Sequence, residues 1–124
     1  MSLTPNQRAE FEELIAARKA SLLSRLGATQ AQLSDIRLAR SDGTADDEHD
    51  PEGSTLSTEW SRAEGQREDA VRELGDLESA GERLAGGMYG YCARCGGEIP
   101  LERLRLLPSS VHCVPCASAV AAGR

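Results

Sequence analysis

The sequence predicts a mainly α protein, a long antiparallel two-helix coiled-coil hairpin followed by a small module built on four cysteines with a short C-terminal helix. Two narrow apolar stripes at helical spacing, separated by an acidic stretch with no periodicity, predict the hairpin. Two Cys-x-x-Cys pairs near the C-terminus predict the module. Composition agrees with both. One Phe, one Trp and two Tyr in 124 residues are too few aromatics for an ordinary globular core, so a seam or a metal must organise the chain. Leucine and alanine dominate the apolar set and favour helix.

The first helix is expected to start at Pro5. Thr4 can cap the free amides, Pro5 suits the first helical position, and Gln7 can reach back to complete a capping box. Apolar residues then recur at Phe11, Ile15, Leu22, Leu26, Leu33 and Ile36, with Arg18 and Thr29 filling the same stripe. Gly27 interrupts it at a cost of about 1 kcal/mol relative to alanine, which loosens the helix without ending it. Residues 41–53 carry two glycines, a proline and six acidic side chains with no basic one, and are read as a loop. The stripe resumes at Leu56, Trp60, Ala63, Arg67, Ala70, Leu74, Leu77, Gly81 and Leu84, in strict steps of four and three, and a second helix should end near Gly86-Gly87.

Two helices of similar length, each with one apolar stripe and joined by a short connection, bury those stripes by folding back on one another. Packing against a second copy is the other solution, but a seam this narrow buries only one neighbour. The expected division is therefore 1–86 as hairpin, with the acidic loop 41–53 at its tip, and 87–124 as the cysteine module.

Cys92 and Cys95 form the first pair, seventeen residues follow, and Cys113 and Cys116 form the second. Each Cys-x-x-Cys turn supplies two thiolates, and the span between them lets the second pair return to complete a tetrahedron. One structural zinc ion is expected, held by Cys92, Cys95, Cys113 and Cys116. Gly96, directly after Cys95, allows the backbone to bend and aim amides at the sulfurs. Zinc binding is worth on the order of 10 to 16 kcal/mol, more than Ile99, Leu101, Leu104, Leu106 and Leu107 can supply by burial in so short a segment. Four thiolates leave no position for an activated water, so the metal is structural and the protein is not expected to be an enzyme. His112 precedes Cys113 but is not needed as a ligand, and His49 is read as a solvated neighbour of carboxylates.

No run approaches the roughly 20 apolar residues that span a bilayer, and the N-terminus lacks the pattern of a signal peptide, so a cytoplasmic protein is expected, with cysteines serving a metal rather than disulfides. Net charge is −6, distributed as +2 over residues 4–40, −6 over 41–53, −4 over 54–86 and +2 over 87–124. Nucleic acid is bound chiefly by neutralising phosphates, so this balance opposes a nucleic-acid-binding zinc ribbon and favours a protein partner. A redox-responsive zinc protein, whose oxidised thiolates release the metal, is the other alternative.

The run Gly90-Tyr91-Cys92-x-x-Cys95-Gly96, followed by Glu98-Ile99, Arg103-Leu104, Pro108, Cys113 and Cys116, resembles the zinc finger of the DksA/TraR family of bacterial RNA-polymerase-binding proteins. The long hairpin ahead of it agrees with that family's fold. The resemblance implies a transcription regulator that inserts its coiled coil in the secondary channel of RNA polymerase and acts through acidic tip residues without reading DNA sequence. Candidate tip residues are Asp46, Asp47, Asp50 and Glu52. The family's tip motif is Asp-x-x-Asp-x-Ala. Here Asp47 and Asp50 supply paired aspartates with Glu52 in the alanine place, whereas an ungapped alignment through the finger and Trp60 puts His49 and Glu52 at the aspartate positions. Some members respond to ppGpp through basic residues on the second helix. The matching stretch here, Glu68 to Asp76, is acidic and predicts no ppGpp binding at that site.

Overall fold

The computed structural model describes residues 3–41 and 51–123, the side chains of residues 51–54 excepted. Four helices follow in order: α1 Pro5–Ser41, α2 Pro51–Ala85, α3 Leu101–Leu106 and α4 Val114–Ala122. The β-structure among the described residues is one antiparallel bridge between Tyr91 and Glu98. No helix is long and apolar enough to cross a membrane.

The N-terminus of α1 is closed by the expected capping box. The Gln7 amide donates to Thr4 Oγ1 at 3.1 Å, and the Thr4 amide donates to Gln7 Oε1 at 2.9 Å. Two otherwise unpaired donors of the first turn are thus satisfied by two side chains. At the other hairpin strand, α2 begins at Pro51, inside the segment read from sequence as loop 41–53. Proline is the reason: its fixed φ and missing N–H suit the first position of a helix as well as they suit a turn. Ser41 is likewise the last residue of α1 rather than the first of the loop.

One compact unit joins the residues up to Lys19 with those from Leu74 onward, and the other spans Ala20–Glu73. Within the first, Lys19 Nζ lies 2.7 Å from Glu78 Oε2, while Arg8 Nη2 donates to the carbonyls of Leu84 at 3.0 Å and Ala85 at 3.1 Å. Numbering rises along α1 as it falls along α2, as an antiparallel hairpin requires. Arg8 also satisfies two of the carbonyls that the end of α2 leaves without helical partners. In the second unit the same antiparallel order brings Arg37 and Arg40 over Trp60 and places Leu22 on a groove shared with Ala70 and Glu73.

The seam is the one the periodicity marks. Phe11, Ile15, Leu22, Thr29, Leu33 and Ile36 of α1 are buried, as are Ala63, Ala70, Leu77 and Leu84 of α2. The one polar member, Thr29, returns its hydroxyl to Arg25 O at 2.9 Å, which satisfies the buried group locally. Gly81 occupies a seam position without a side chain, and a cleft of about 280 Å³ opens there over Ile15 and Leu84. Ala80, outside the predicted stripe, is fully buried. Asp76, Ser79 and Arg83, on the same side of α2, line a groove with Ser109 and Val111, so the base of α2 covers a second face that a hairpin alone would leave wet.

Candidate metal centre

The four cysteines are brought together by two different local structures. The first pair sits on a tight knuckle. Gly96 N–H donates to Cys92 O at 2.9 Å, Cys92 N–H donates to Gly97 O at 2.7 Å, and Gly96 takes a φ of +75°, which only glycine adopts without strain. The turn carries the Gly97 amide to 3.4 Å from Cys95 Sγ, the amide-to-sulfur contact expected of the glycines that follow the pair. The second pair lies at the start of α4: Cys113 is its N-cap, Pro115 is in its first turn, and the Ala117 amide donates to Cys113 O at 2.8 Å. Proline there costs no hydrogen bond, and the positive end of the helix lies beside the sulfurs.

One sulfur from each of Cys92, Cys95, Cys113 and Cys116 lies within 4.8 Å of the other three, and Cys95 Sγ is 3.9 Å from Cys113 Sγ. Tetrahedral zinc with Zn–S bonds of about 2.3 Å separates its sulfurs by about 3.8 Å, so the cluster fits a single zinc ion. Its electrostatics ask for a cation. The Cys92 thiol is held down to about 5, chiefly by the Cys95 backbone amide, whereas Cys116 is pushed up to about 12, first by its hydrogen bond with Cys113 and then by burial. Four sulfurs this close cannot all ionise on their own, and a divalent ion removes that repulsion. Cys92 and Cys116 are buried while Cys95 is exposed. The centre is a four-cysteine site for one structural Zn2+, and no step of catalysis follows from it.

The residues between the pairs lock the module onto the hairpin. The Ala93 amide donates to Val111 O at 2.7 Å, tying the knuckle to the approach to Cys113, and Arg103 Nε donates to His112 O at 3.0 Å. Ile99 and Leu104 are fully buried beneath this loop. Leu106 and Leu107 are not: they are 82% and 53% exposed, so the small finger core expected from five residues rests on fewer. Tyr89 compensates. Its hydroxyl donates to Pro108 O at 2.7 Å and its ring lies 5.3 Å from that of Phe11. Burial pushes the Tyr89 hydroxyl up to about 12, with the Arg83 guanidinium opposing. Arg105 completes the junction, donating from Nε at 2.7 Å and Nη2 at 3.3 Å to the Glu10 carboxylate. Tyr89 and Glu10 went unnoticed in the sequence because neither belongs to a motif or to the stripe. The one available signal was an aromatic residue set between Met88 and Gly90, just before the first cysteine.

The predicted tip residues fall differently. Asp46, Asp47 and Asp50 lie outside the described residues, and Glu52 lies in the first turn of α2, where the backbone alone is described. His49 lies outside them too.

Residues 87–120 match the family described as prokaryotic dksA/traR C4-type zinc finger. An uncharacterized protein of Aquifex aeolicus (strain VF5) is 40% identical over 50 residues, a segment that spans 40% of this chain and 34% of that relative. The structure of transcription factor DksA2 from Pseudomonas aeruginosa shares the fold, with a TM-score of 0.76 at 22% identity over 94% of this chain and 84% of that one. Residues 87–120 are thus a DksA/TraR-type zinc finger, carried on a fold that the chain shares with that structure.

Proposed function

We propose that the protein is a cytoplasmic transcription regulator that binds RNA polymerase and inserts the acidic end of its hairpin into the secondary channel, without sequence-specific DNA binding. The observation that carries this reading is the pairing of a DksA/TraR-type finger with two long helices between which residues 42–50 bear five acidic and no basic side chains, with Glu52 following in the first turn of α2. Carboxylates on a thin two-helix support act through charge on a basic or metal-bearing partner surface, and they need no pocket of their own. Asp46, Asp47, Asp50 and Glu52 are the groups assigned to that contact. The zinc holds the finger as a platform for the hairpin base, and the protein performs no chemistry. The acidic stretch Glu68–Asp76 of α2 would repel ppGpp at the site that family members use on that helix.

The test is a pull-down of the source bacterium's RNA polymerase with the zinc-loaded protein, together with in vitro transcription. Asp47→Asn with Asp50→Asn is expected to retain binding and lose the effect on promoter output. A wild-type protein that neither binds polymerase nor changes output would refute the reading. A second reading rests on Cys95, which is exposed and 3.9 Å from Cys113. Oxidation of that pair to a disulfide by peroxide would withdraw two ligands from the zinc, and metal release at low peroxide, reversed by thiol, is its signature.

A further inference from the structure

The arginines around Trp60 are not explained by the seam. Trp60 is the chain's one tryptophan and is half-buried, and the guanidinium carbons of Arg37 and Arg40 stand 5.9 and 5.8 Å from its ring centroid. Arg40 is held further by a 2.8 Å hydrogen bond from Nη2 to Ser57 Oγ. The indole and Arg37 also line an open groove of about 440 Å³ with Leu33, Ser34, Glu64 and Arg67. Two cations, Arg37 and Arg67, thus line the groove with one carboxylate, Glu64, and Arg40 adds a third cation beside the indole. No ion pair joins Arg37, Arg40 or Arg67 to an acidic side chain among the described residues, whereas Arg8, Lys19, Arg72 and Arg105 each pair with a carboxylate.

A guanidinium held beside an indole at cation–π distance keeps most of its five N–H donors for another acceptor, in the fork geometry that matches a carboxylate; Arg40 gives one of them to Ser57. The indole contact also restrains two long side chains before anything binds, which lowers the entropy lost on association. We infer that Trp60, Arg37 and Arg40 form a docking contact for an acidic segment of the protein partner. An extended polyphosphate fits less well, because the six acidic residues of 41–53 stand in sequence directly after Arg40 and would repel a chain running past them. A local cluster of carboxylates on a folded surface meets both guanidinium forks without that cost. The inference rests on the polymerase reading above for the identity of the partner, which places the acidic segment on RNA polymerase.

Two measurements on the full, zinc-loaded chain separate the contact from the reading it rests on. The first compares wild type, Arg37→Gln/Arg40→Gln and Arg37→Lys/Arg40→Lys for affinity to the polymerase at low and high salt. The glutamine variant should bind about tenfold more weakly at low salt, the gap narrowing at high salt, and the lysine variant should recover only part of the loss because it restores charge without the fork. The second titrates the protein with a triglutamate peptide, short enough to meet the two guanidiniums without running past residues 41–53, and with a single-stranded oligonucleotide, while reading Trp60 fluorescence. Triglutamate should shift the emission of wild type and not of the glutamine variant. Equal polymerase affinity of wild type and glutamine variant would overturn the contact, as would an oligonucleotide that shifts Trp60 at lower concentration than the peptide. Failure of wild type to bind polymerase at all would overturn the polymerase reading, and the peptide titration would then decide the contact alone.

Discussion

Replacing Gly27, Gly65 and Gly75 together by alanine is expected to stabilise the hairpin by about 1.5 to 3 kcal/mol, because each glycine gains about 0.5 to 1 kcal/mol when the unfolded chain loses freedom and the helix gains a better former. The structure decides that the gain is realised. All three lie inside α1 or α2, none has a positive φ, and a Cβ built on any of them meets nothing within 4 Å. Gly65 and Gly75 are ten residues apart, about 15 Å along a helix, so their effects should add. For a chain of this size the sum corresponds to a rise in Tm of about 5 to 15 °C. Thermal and urea unfolding followed by far-ultraviolet circular dichroism, with zinc present throughout, would measure it. Gly96→Ala is the matched control: a Cβ there also meets nothing within 4 Å, but φ is +75°, and a loss of about 1 kcal/mol or more is expected from backbone strain alone. A triple variant no more stable than wild type would refute the claim that these glycines sit in regular, unstrained helix.

Phe11→Ala removes a fully buried ring that packs on Tyr89, and should cost about 3 to 5 kcal/mol, read as a lower urea midpoint for the unit holding the finger. Removing zinc with a chelator should abolish amide protection across the finger and weaken it over the first turns of α1, which are tied to the finger through Phe11 and Glu10. Hydrogen exchange by mass spectrometry reads this, and a finger still protected without metal would contradict it. The Arg105 hydrogen bond holds the Glu10 carboxyl below its ordinary value of 4.5, so this pair adds stability above that pH and loses it as pH falls through the depressed folded value. The excess stability of wild type over Glu10→Gln should therefore be present at neutral pH, small because the pair is exposed, and vanish in acid.

Local chemistry made much of the molecule legible in the linear chain. The capping box at Thr4 and Gln7, the heptad stripes from Phe11 to Ile36 and from Ala63 to Leu84, and the two cysteine pairs are all statements about residues a few positions apart, where helix geometry and zinc coordination leave few choices. The same locality explains the misplacement at Pro51, since a proline that opens a helix and a proline in a turn look alike until the following turns are seen. What remained for the tertiary structure was the junction. That Tyr89 seals the finger against Phe11, that Arg105 reaches Glu10 across 95 positions, that Ala80 is buried under a second layer while Leu106 is left in water, all depend on how the finger returns to the base of the hairpin. No periodicity encodes such a return, because it is set by the summed packing of elements far apart in the chain. The pairing of Trp60 with two arginines from the opposite helix is of the same kind: the indole was visible as a seam residue, and its partners only once α1 and α2 lay side by side.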